Sequence, residues 1–227
     1  MRDEYVGDIG DFGKYILLKE LRVIAGTGVK IGINWYYNTR PAAAFRYLFD
    51  DDYRRMDHTL FDYLRSSYKI KEPRLPDVEE MILKDQNNLF YRKLVPYSQS
   101  LRKTWFQESW EKLKEAEIIF LDPDNGIPPD KDKVTSKQAS IDEIKRYYDK
   151  GKSIILYQHK NREPNFLAWF KDKLQEIYSA HTPIIIRCPK ITVRYYALIA
   201  KTTKHQTLFK DLSDELTGKY ALLFEKA

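Results

Sequence analysis

Residues 117–126 read EIIFLDPDNG, and this stretch decides which kind of sheet the chain builds. Residues 117–121 form a short apolar run of the type found in strands that are buried on both faces. The run stops at two carboxylates and an amide, and Pro123 removes a backbone donor, so the chain has to turn there. The pair Asn125-Gly126 favours a tight turn with positive φ. The stretch therefore predicts a buried strand whose polar end lies at the carboxyl edge of a sheet.

Strands and helices alternate along the rest of the chain. Apolar spacing predicts helices over residues 12–24, 42–49, 59–66, 77–84, 98–115, 140–148, 165–178 and 208–216. Further strands are predicted over residues 29–37, 89–95, 153–157, 183–187, 192–200 and 220–224. Such alternation is typical of a parallel sheet with helices on both faces, and the short connection after residue 187 predicts an antiparallel pair. We expect one α/β domain over residues 1–227, a doubly wound, mostly parallel sheet with an antiparallel edge pair.

Composition and charge narrow the classes of function. The 227 residues carry a net charge of +6, with 43% hydrophobic and 32% charged residues, which is an ordinary globular balance. A basic protein can bind phosphate-rich partners because each neutralised phosphate releases counterions, although many basic proteins simply carry solvated lysines. The 17 tyrosines can stack on bases or fill a core. The composition permits nucleic acid as a partner and leaves the oligomeric state open.

Several classes of protein are disfavoured. No apolar run approaches the roughly 20 residues of a membrane helix, and the charged residues 1–4 lack the apolar stretch of a signal peptide. We therefore expect a cytoplasmic protein without a membrane partner. The single cysteine, Cys188, excludes an intrachain disulfide and a cysteine-rich zinc site. It follows an apolar run and is expected to be buried as a small apolar residue.

A second polar strand end follows residues 153–157. Residues 158–162 read QHKNR, and parallel strands that flank one crossover helix bring their carboxyl ends together. We expect His159 to act as a base beside Asp122, because histidine titrates near neutral pH. Gln158, Lys160 and Arg162 are candidate substrate contacts, the last two for phosphate. A solvated basic loop explains the same residues equally well.

The N-terminal residues 5–15 read YVGDIGDFGKY and precede a helix. Glycines here allow a ligand to approach the backbone closely. Asp11 is a candidate helix cap, the free amides of the helix start can bind an anion, and Lys14 adds a charge nearby. The segment lacks the P-loop pattern, and no strand precedes it, so the dinucleotide-binding fingerprint does not apply.

Both polar segments resemble parts of known methyltransferases. Asp122-Pro123 resembles the first half of the Asp/Asn-Pro-Pro-aromatic motif of amino-group DNA and RNA methyltransferases. In those enzymes the acidic or amide side chain and a backbone carbonyl accept hydrogen bonds from the target amine. The chain departs from that motif at Asp124 and Asn125. The N-terminal segment is loosely similar to the start of the large-subunit rRNA adenine-N6 methyltransferases, where a glycine-containing polar stretch leads into an apolar helix.

The resemblance implies a Rossmann-like methyltransferase sheet, S-adenosylmethionine as cofactor and nucleic acid as substrate. The candidate catalytic residues are Asp122, whose role the resemblance implies, and the neighbouring Asp124, Asn125 and His159, which are proposed from their places at the two strand ends. The implied cofactor contacts are Gly7, Asp8, Gly10, Asp11 and Lys14, with Asn34 and Trp35 at the end of the first strand. The glycine-rich turn that normally follows this strand is missing, since residues 38–41 read NTRP.

Two other functions fit the same residues. Metal-dependent nucleases of the Pro-Asp…(Asp/Glu)-x-Lys type place acidic groups and a lysine on neighbouring strands. Pro123-Asp124 and residues 158–160 imitate that pattern, with Gln158 in place of the usual acid. Asp122, Asp124 and Gln158 would then offer oxygen ligands to Mg²⁺. The third hypothesis is a non-catalytic nucleic-acid-binding module that uses the arginine- and tyrosine-rich residues 50–68 as a contact surface.

Overall fold

In the computed structural model of the chain, the structure is described for residues 7–37, 46–70, 75–82, 88–130, 133–190 and 192–227. The strands of this part are β1 (Ile31–Asn34), β2 (Leu89–Tyr91), β3 (Ile118–Leu121), β4 (Ser153–His159), β5 (Ile184–Cys188), β6 (Arg194–Ile199) and β7 (Glu225–Lys226). The helices are α1 (Ile9–Ala25), α2 (Asp51–Met56), α3 (His58–Ile70), α4 (Leu75–Ile82), α5 (Gln99–Leu113), α6 (Ile141–Asp149), α7 (Phe166–Gln175) and α8 (Thr203–Lys219).

The strands form one mixed sheet in the order β2-β1-β3-β4-β6-β5-β7. The pairs β1–β2, β1–β3 and β3–β4 are parallel, whereas β6 lies antiparallel between β4 and β5. The short strand β7 adds a second antiparallel partner to β5. The predicted α/β class is therefore confirmed, with parallel pairing in the centre of the sheet and antiparallel pairing at one edge.

Burial on both faces explains why the central strands are almost entirely apolar. Along β3, Ile118 and Phe120 belong to the core under α1 and α8, and Ile119 and Leu121 belong to the core under α5, α6 and α7. All four are fully buried. Each such side chain stabilises the fold by roughly 1.5–3 kcal/mol. The alternation of two cores along one strand places helices on both faces of the sheet.

Helix α1 begins earlier than its apolar spacing predicts. Asp8 is the N-cap, and its carboxylate accepts the backbone N–H of Asp11 at 2.8 Å. The expected capping role of Asp11 is wrong, because Asp11 lies inside the first turn. Gly10 and Gly13 are helical rather than part of an entry loop. Of the three glycines in residues 7–13, only Gly7, with φ of +99°, adopts the backbone conformation for which glycine is favoured.

The C-terminal segment also differs from the prediction. Residues 220–224 form a turn instead of a strand, and β7 follows as two residues. The backbone N–H groups of Leu223 and Phe224 both donate to the carbonyl of Tyr220. These three side chains are buried. Their spacing of three and four residues fits a helical turn better than the two-residue period of a strand.

Other predicted elements are shorter than expected or lie outside the described residues. Of the helices predicted over residues 42–49 and 77–84, residues 42–45 and 83–84 lie outside the described part of the chain, and residues 46–49 form a 3₁₀ turn. Cys188 is buried as expected, and burial raises the pKa of its thiol. No helix of the described part is long and apolar enough to cross a membrane.

Candidate functional site

The N-terminal half of α1 lies at the carboxyl edge of the sheet and meets the end of β3 there. Nζ of Lys14 lies 2.8 Å from both carboxylate oxygens of Asp122 and 2.9 Å from Oδ1 of Asp11. All three side chains are buried. The lysine donates a hydrogen bond to Oδ2 of Asp122, while Oδ1 has the ionic contact but no hydrogen-bond donor among the described residues.

Burial and charge act against each other in this cluster. Burial raises the pKa of Asp11 to about 6, although the nearby Lys14 ammonium lowers it. Burial also raises the pKa of Asp122, and Lys14 again opposes the shift. Burial disfavours the ammonium of Lys14, yet the two carboxylates raise its pKa well above the ordinary value. Lys14 is therefore a cation held between two carboxyl groups whose ionisation depends on it.

Arg194, at the start of β6, extends this cluster. Its Nε donates to the hydroxyl of Tyr157 at 3.2 Å, and one terminal nitrogen lies 3.9 Å from Asp8. Lys14 in turn lies 4.8 Å from the centre of the Tyr157 ring. A methyl group on Gly10 would lie 2.6 Å from Nε of Arg194, so this glycine lets the helix approach the guanidinium. The sequence analysis did not single out Arg194. The only indication in the sequence is that it is the one charged residue in a strand that is otherwise apolar or aromatic.

The end of β1 contains Asn34 and Trp35, both fully buried. Nε1 of Trp35 donates to Glu79 at 2.6 Å, and its ring packs edge-on against Tyr15 and Phe120. Trp35 is therefore part of the core. Oδ1 of Asn34 accepts the backbone N–H of Tyr36 at 3.2 Å.

Tyr36 has an unusual backbone conformation. Its φ of +44° makes it the only non-glycine residue with positive φ in the described part of the chain. Such a conformation is uncommon for a bulky side chain and concentrates at functional sites. It occurs at the end of β1, where a glycine-rich turn was expected and is missing from the sequence.

The turn after β3 is held in place by Gln158. The N–H of Gly126 donates to the carbonyl of Pro123 at 3.2 Å, and Gly126 has φ of +79°, as the Asn-Gly pair predicts. Oε1 of Gln158 accepts the N–H of Ile127 at 2.7 Å, and Nε2 donates to the carbonyl of Asn125 at 3.1 Å. Gln158 is fully buried. Its amide therefore supports the turn, and both ends of the amide are already occupied.

A cleft of about 600 Å³ opens between this turn and the end of β4. Its lining residues are Asn125, Ile127, Pro129, Gln138 and residues 159–162. Four predicted site residues thus share one cleft: Asn125, His159, Lys160 and Arg162. Asp122 and Asp124 do not line it.

His159 is half-buried in this cleft, and burial lowers the pKa of its imidazole. Nδ1 lies 3.1 Å from the carbonyl oxygen of Lys160. Because a carbonyl only accepts, the proton of the neutral ring lies on Nδ1, which leaves Nε2 as an acceptor. His159 is therefore a neutral base at pH 7.

His159 and Asp122 lie on the same face of the sheet without touching. The register pairs Leu121 with Leu156, so Asp122 comes level with Tyr157. His159 lies two residues beyond Tyr157 on β4, a rise of roughly 7 Å along the strand, and pairs with Arg194 on β6. No hydrogen bond or ion pair joins His159 to Asp122 among the described contacts. His159 and Asp122 therefore lie at the same edge of the sheet, and no described contact brings the histidine beside the carboxylate.

Two of the three oxygen donors expected for Mg²⁺ are engaged by other groups. Asp122 faces Lys14, and Oε1 of Gln158 is taken by a backbone N–H. No group of three or more histidine, cysteine, aspartate or glutamate side chains suited to a metal ion occurs among the described residues. These donors do not fit the metal site that the nuclease hypothesis needs.

Comparison of the sequence with known families and proteins does not assign the chain to a family. The chain matches no protein-family model, and no curated protein sequence is significantly similar to it.

Proposed function

We propose that the protein is a Rossmann-like methyltransferase that modifies nucleic acid at the carboxyl edge of its sheet. The contact between Lys14 and Asp122 carries this proposal. It joins the two segments that resemble methyltransferases, although they are 108 residues apart. A mostly parallel sheet that finishes in an antiparallel pair is also the layout of Rossmann-like methyltransferases. Open α/β sheets bind their ligands at this edge.

Two features of the described residues fit S-adenosylmethionine at the ends of β1 and β3. Tyr36 already has the left-handed backbone that a tight cofactor turn needs, although no glycine is present. Oδ1 of Asp122 is buried, and its only contact among the described residues is the Lys14 ammonium at 2.8 Å, so it keeps a lone pair that a bound group can use. Asn34 and Asp122 would hold the cofactor and the target from these two strand ends. When bound, the cofactor supplies an electrophilic methyl group.

The protein's own residues would then orient the acceptor and take up a proton. Asp122 accepts a hydrogen bond from the target amine, and Lys14 fixes the orientation of that carboxylate. Methylation of an amine releases one proton, which the free Nε2 of neutral His159 can accept through water. Lys160 and Arg162, both exposed at the cleft, contribute positive charge for phosphate.

Calorimetric titration with S-adenosylmethionine tests the cofactor directly. We expect saturable binding with a micromolar Kd, about −8 kcal/mol. Transfer of a labelled methyl group to RNA and DNA tests the reaction. Asp122→Asn should lower transfer by at least about 100-fold, on the scale of losing a transition-state hydrogen bond. Asp214→Asn is the matched control, because Asp214 lies on α8 and pairs with Lys226 at the other edge of the sheet.

Absence of both cofactor binding and methyl transfer would contradict this proposal. If nucleic acid still binds in that case, the non-catalytic module is the remaining interpretation. Equal transfer by the Asp122→Asn and Asp214→Asn variants would instead show that the reaction occurs elsewhere.

A further inference from the structure

The cleft beside Asn125 is lined by hydrogen-bond donors and lacks carboxylates. Lys160 and Arg162 bring two positive charges, and Asn125, Gln138 and Asn161 bring amide groups. No aspartate or glutamate is among its described lining residues. Neither Lys160 nor Arg162 forms a salt bridge with a described carboxylate. This chemistry matches an anion that carries several acceptor oxygens.

Asn161 supplies a second, independent indication of a ligand. Its Oδ1 accepts the backbone N–H of Glu163 at 3.0 Å, which fixes the orientation of the amide. Its Nδ2 is buried and has no hydrogen-bond partner among the described residues. Buried donors without a partner are unfavourable and rare in folded proteins, so this one indicates a bound group.

Both walls of the cleft are preorganised. The amide of Gln158 anchors the turn at Asn125 and Ile127, and the N–H of Asn125 donates to the carbonyl of Lys137 at 2.9 Å. On the other wall, the N–H of Lys160 donates to the carbonyl of Val193 at 3.0 Å. Anchored walls reduce the ordering cost of binding. The cleft is therefore a preformed site whose two walls are held by hydrogen bonds.

The size and shape of the cleft select among anions. A volume of about 600 Å³ lies within the range of small-ligand sites and suits a unit the size of one nucleotide. A duplex is read by elements that protrude into its grooves, and a concave cleft cannot do this. An unpaired nucleotide can enter such a cleft with its backbone at the mouth. Lys160 and Arg162 are exposed, which places the positive charge at that mouth.

We propose that this cleft binds one unpaired nucleotide of a nucleic-acid strand, with its phosphodiester on Lys160, Asn161 and Arg162. The nucleoside then faces Pro129 and the amides of Asn125 and Gln138 on the opposite wall. The choice of nucleic acid as the ligand rests on the proposed function, but binding in the cleft requires neither the cofactor nor methyl transfer. A free mononucleotide offers the same phosphate chemistry, and comparing its affinity with that of a strand distinguishes the two ligands.

The test is fluorescence anisotropy with labelled 12-nucleotide RNA and DNA strands and with a duplex of the same sequence. Lys160→Gln/Arg162→Gln should weaken strand binding at least 10-fold and reduce the slope of log K against log salt by about 1.4, for two phosphate contacts. Lys171→Gln/Lys210→Gln is the control, since both lysines line a different cavity beside α8. It should change the Kd less than 2-fold. Asn161→Ala should weaken binding about 3-fold.

Three results would overturn the inference. Equal losses in the two double variants would show that the cleft is not the binding site. Duplex binding as tight as strand binding would exclude an unpaired nucleotide. Adenosine monophosphate that binds as tightly as the strand would make the cleft a mononucleotide site.

Failure of this inference is distinguishable from failure of the proposed function. The Lys160→Gln/Arg162→Gln protein should keep the wild-type affinity for S-adenosylmethionine and the wild-type melting temperature, because both side chains are exposed. Loss of strand binding with unchanged cofactor binding supports the cleft. A wild-type protein that binds the strand through the cleft but not the cofactor contradicts the methyltransferase alone.

Discussion

Lys14 on α1 and Asp122 at the end of β3 lie 2.8 Å apart in a buried position, although 108 residues separate them. The contact fastens the first helix to the carboxyl edge of the sheet. Asp11 shares the same ammonium at 2.9 Å. One cation therefore compensates two buried carboxyl groups, and the cluster is sensitive to the loss of any member.

Replacing Lys14 by methionine should destabilise the protein strongly. The variant leaves Asp11 and Asp122 buried without a cation, which costs about 3–5 kcal/mol. Asp122→Asn should cost less, because Lys14 keeps its contact with Asp11. Urea denaturation measures both. Lys112→Met, at an exposed position of α5, is the control and should stay within about 0.5 kcal/mol. A similar loss in both lysine variants would contradict the buried cluster.

Gly126→Ala should destabilise the turn after β3 more than Gly151→Ala destabilises its own turn. Both glycines have positive φ, of +79° and +88°, so both variants carry the backbone strain. Only at Gly126 would the new methyl group meet another atom, 2.2 Å from Oε1 of Gln158, whereas Gly151 faces open space. We expect an additional loss of about 1–3 kcal/mol at Gly126. Equal free energies of unfolding would show that Gln158 does not hold the turn.

Gly10→Ala and Gly13→Ala should change stability in opposite directions. Alanine in a helix is favoured over glycine by roughly 0.5–1 kcal/mol. At Gly13 the added methyl group has its nearest neighbours at 3.7–3.8 Å, so the variant should gain most of that amount. At Gly10 it would displace the Arg194 guanidinium from its hydrogen bonds, and the protein should lose stability. Thermal melting of the two variants decides this, and a stabilising Gly10→Ala would contradict the close approach.

Asp11 should titrate near pH 6 in the folded protein. Burial raises its pKa to about 6, above the unfolded value of about 3.9. A raised carboxyl pKa means that its contribution to stability is fully present below about pH 4 and is lost as the pH rises through 6. The stability of Asp11→Asn relative to wild type should therefore increase by roughly 2–3 kcal/mol between pH 4 and pH 7.

Carbon-13 NMR of the carboxyl groups measures this titration directly. Asp62 is the control, since its exposed carboxylate accepts two hydrogen bonds from Arg54, which lowers its pKa. Asp11 titrating in the ordinary range below pH 4.5 would show that its carboxyl group is hydrated.

Much of the sheet could be predicted because its strands carry local signals. The apolar run at Ile118–Leu121 and the Asn125-Gly126 pair specify a buried strand and a positive-φ turn within ten residues of sequence. The alternation of such runs with helical spacing specified the α/β class. The strand predicted over residues 220–224 is wrong, because a short apolar run fits a strand or a helical turn equally well.

The candidate site could be predicted only in part from the sequence. Asn125, His159, Lys160 and Arg162 were expected together and do share a cleft, because parallel strand ends meet at one edge. Arg194 was not foreseen, and Gln158 was expected to contact substrate but supports the turn instead. Nothing local distinguishes an amide that binds a ligand from one that binds the backbone of a neighbouring loop.

The sequence by itself determined the order of strands and helices, the turns that glycine and proline require, and the polar groups at each strand end. These depend on neighbours within a few residues, through side-chain periodicity and allowed backbone angles. Only the tertiary structure decided that Lys14 compensates Asp122, that Gly10 admits Arg194 and that Gln158 faces inward. Those outcomes depend on which distant surfaces are desolvated against each other, and burial between distant segments has no short-range pattern.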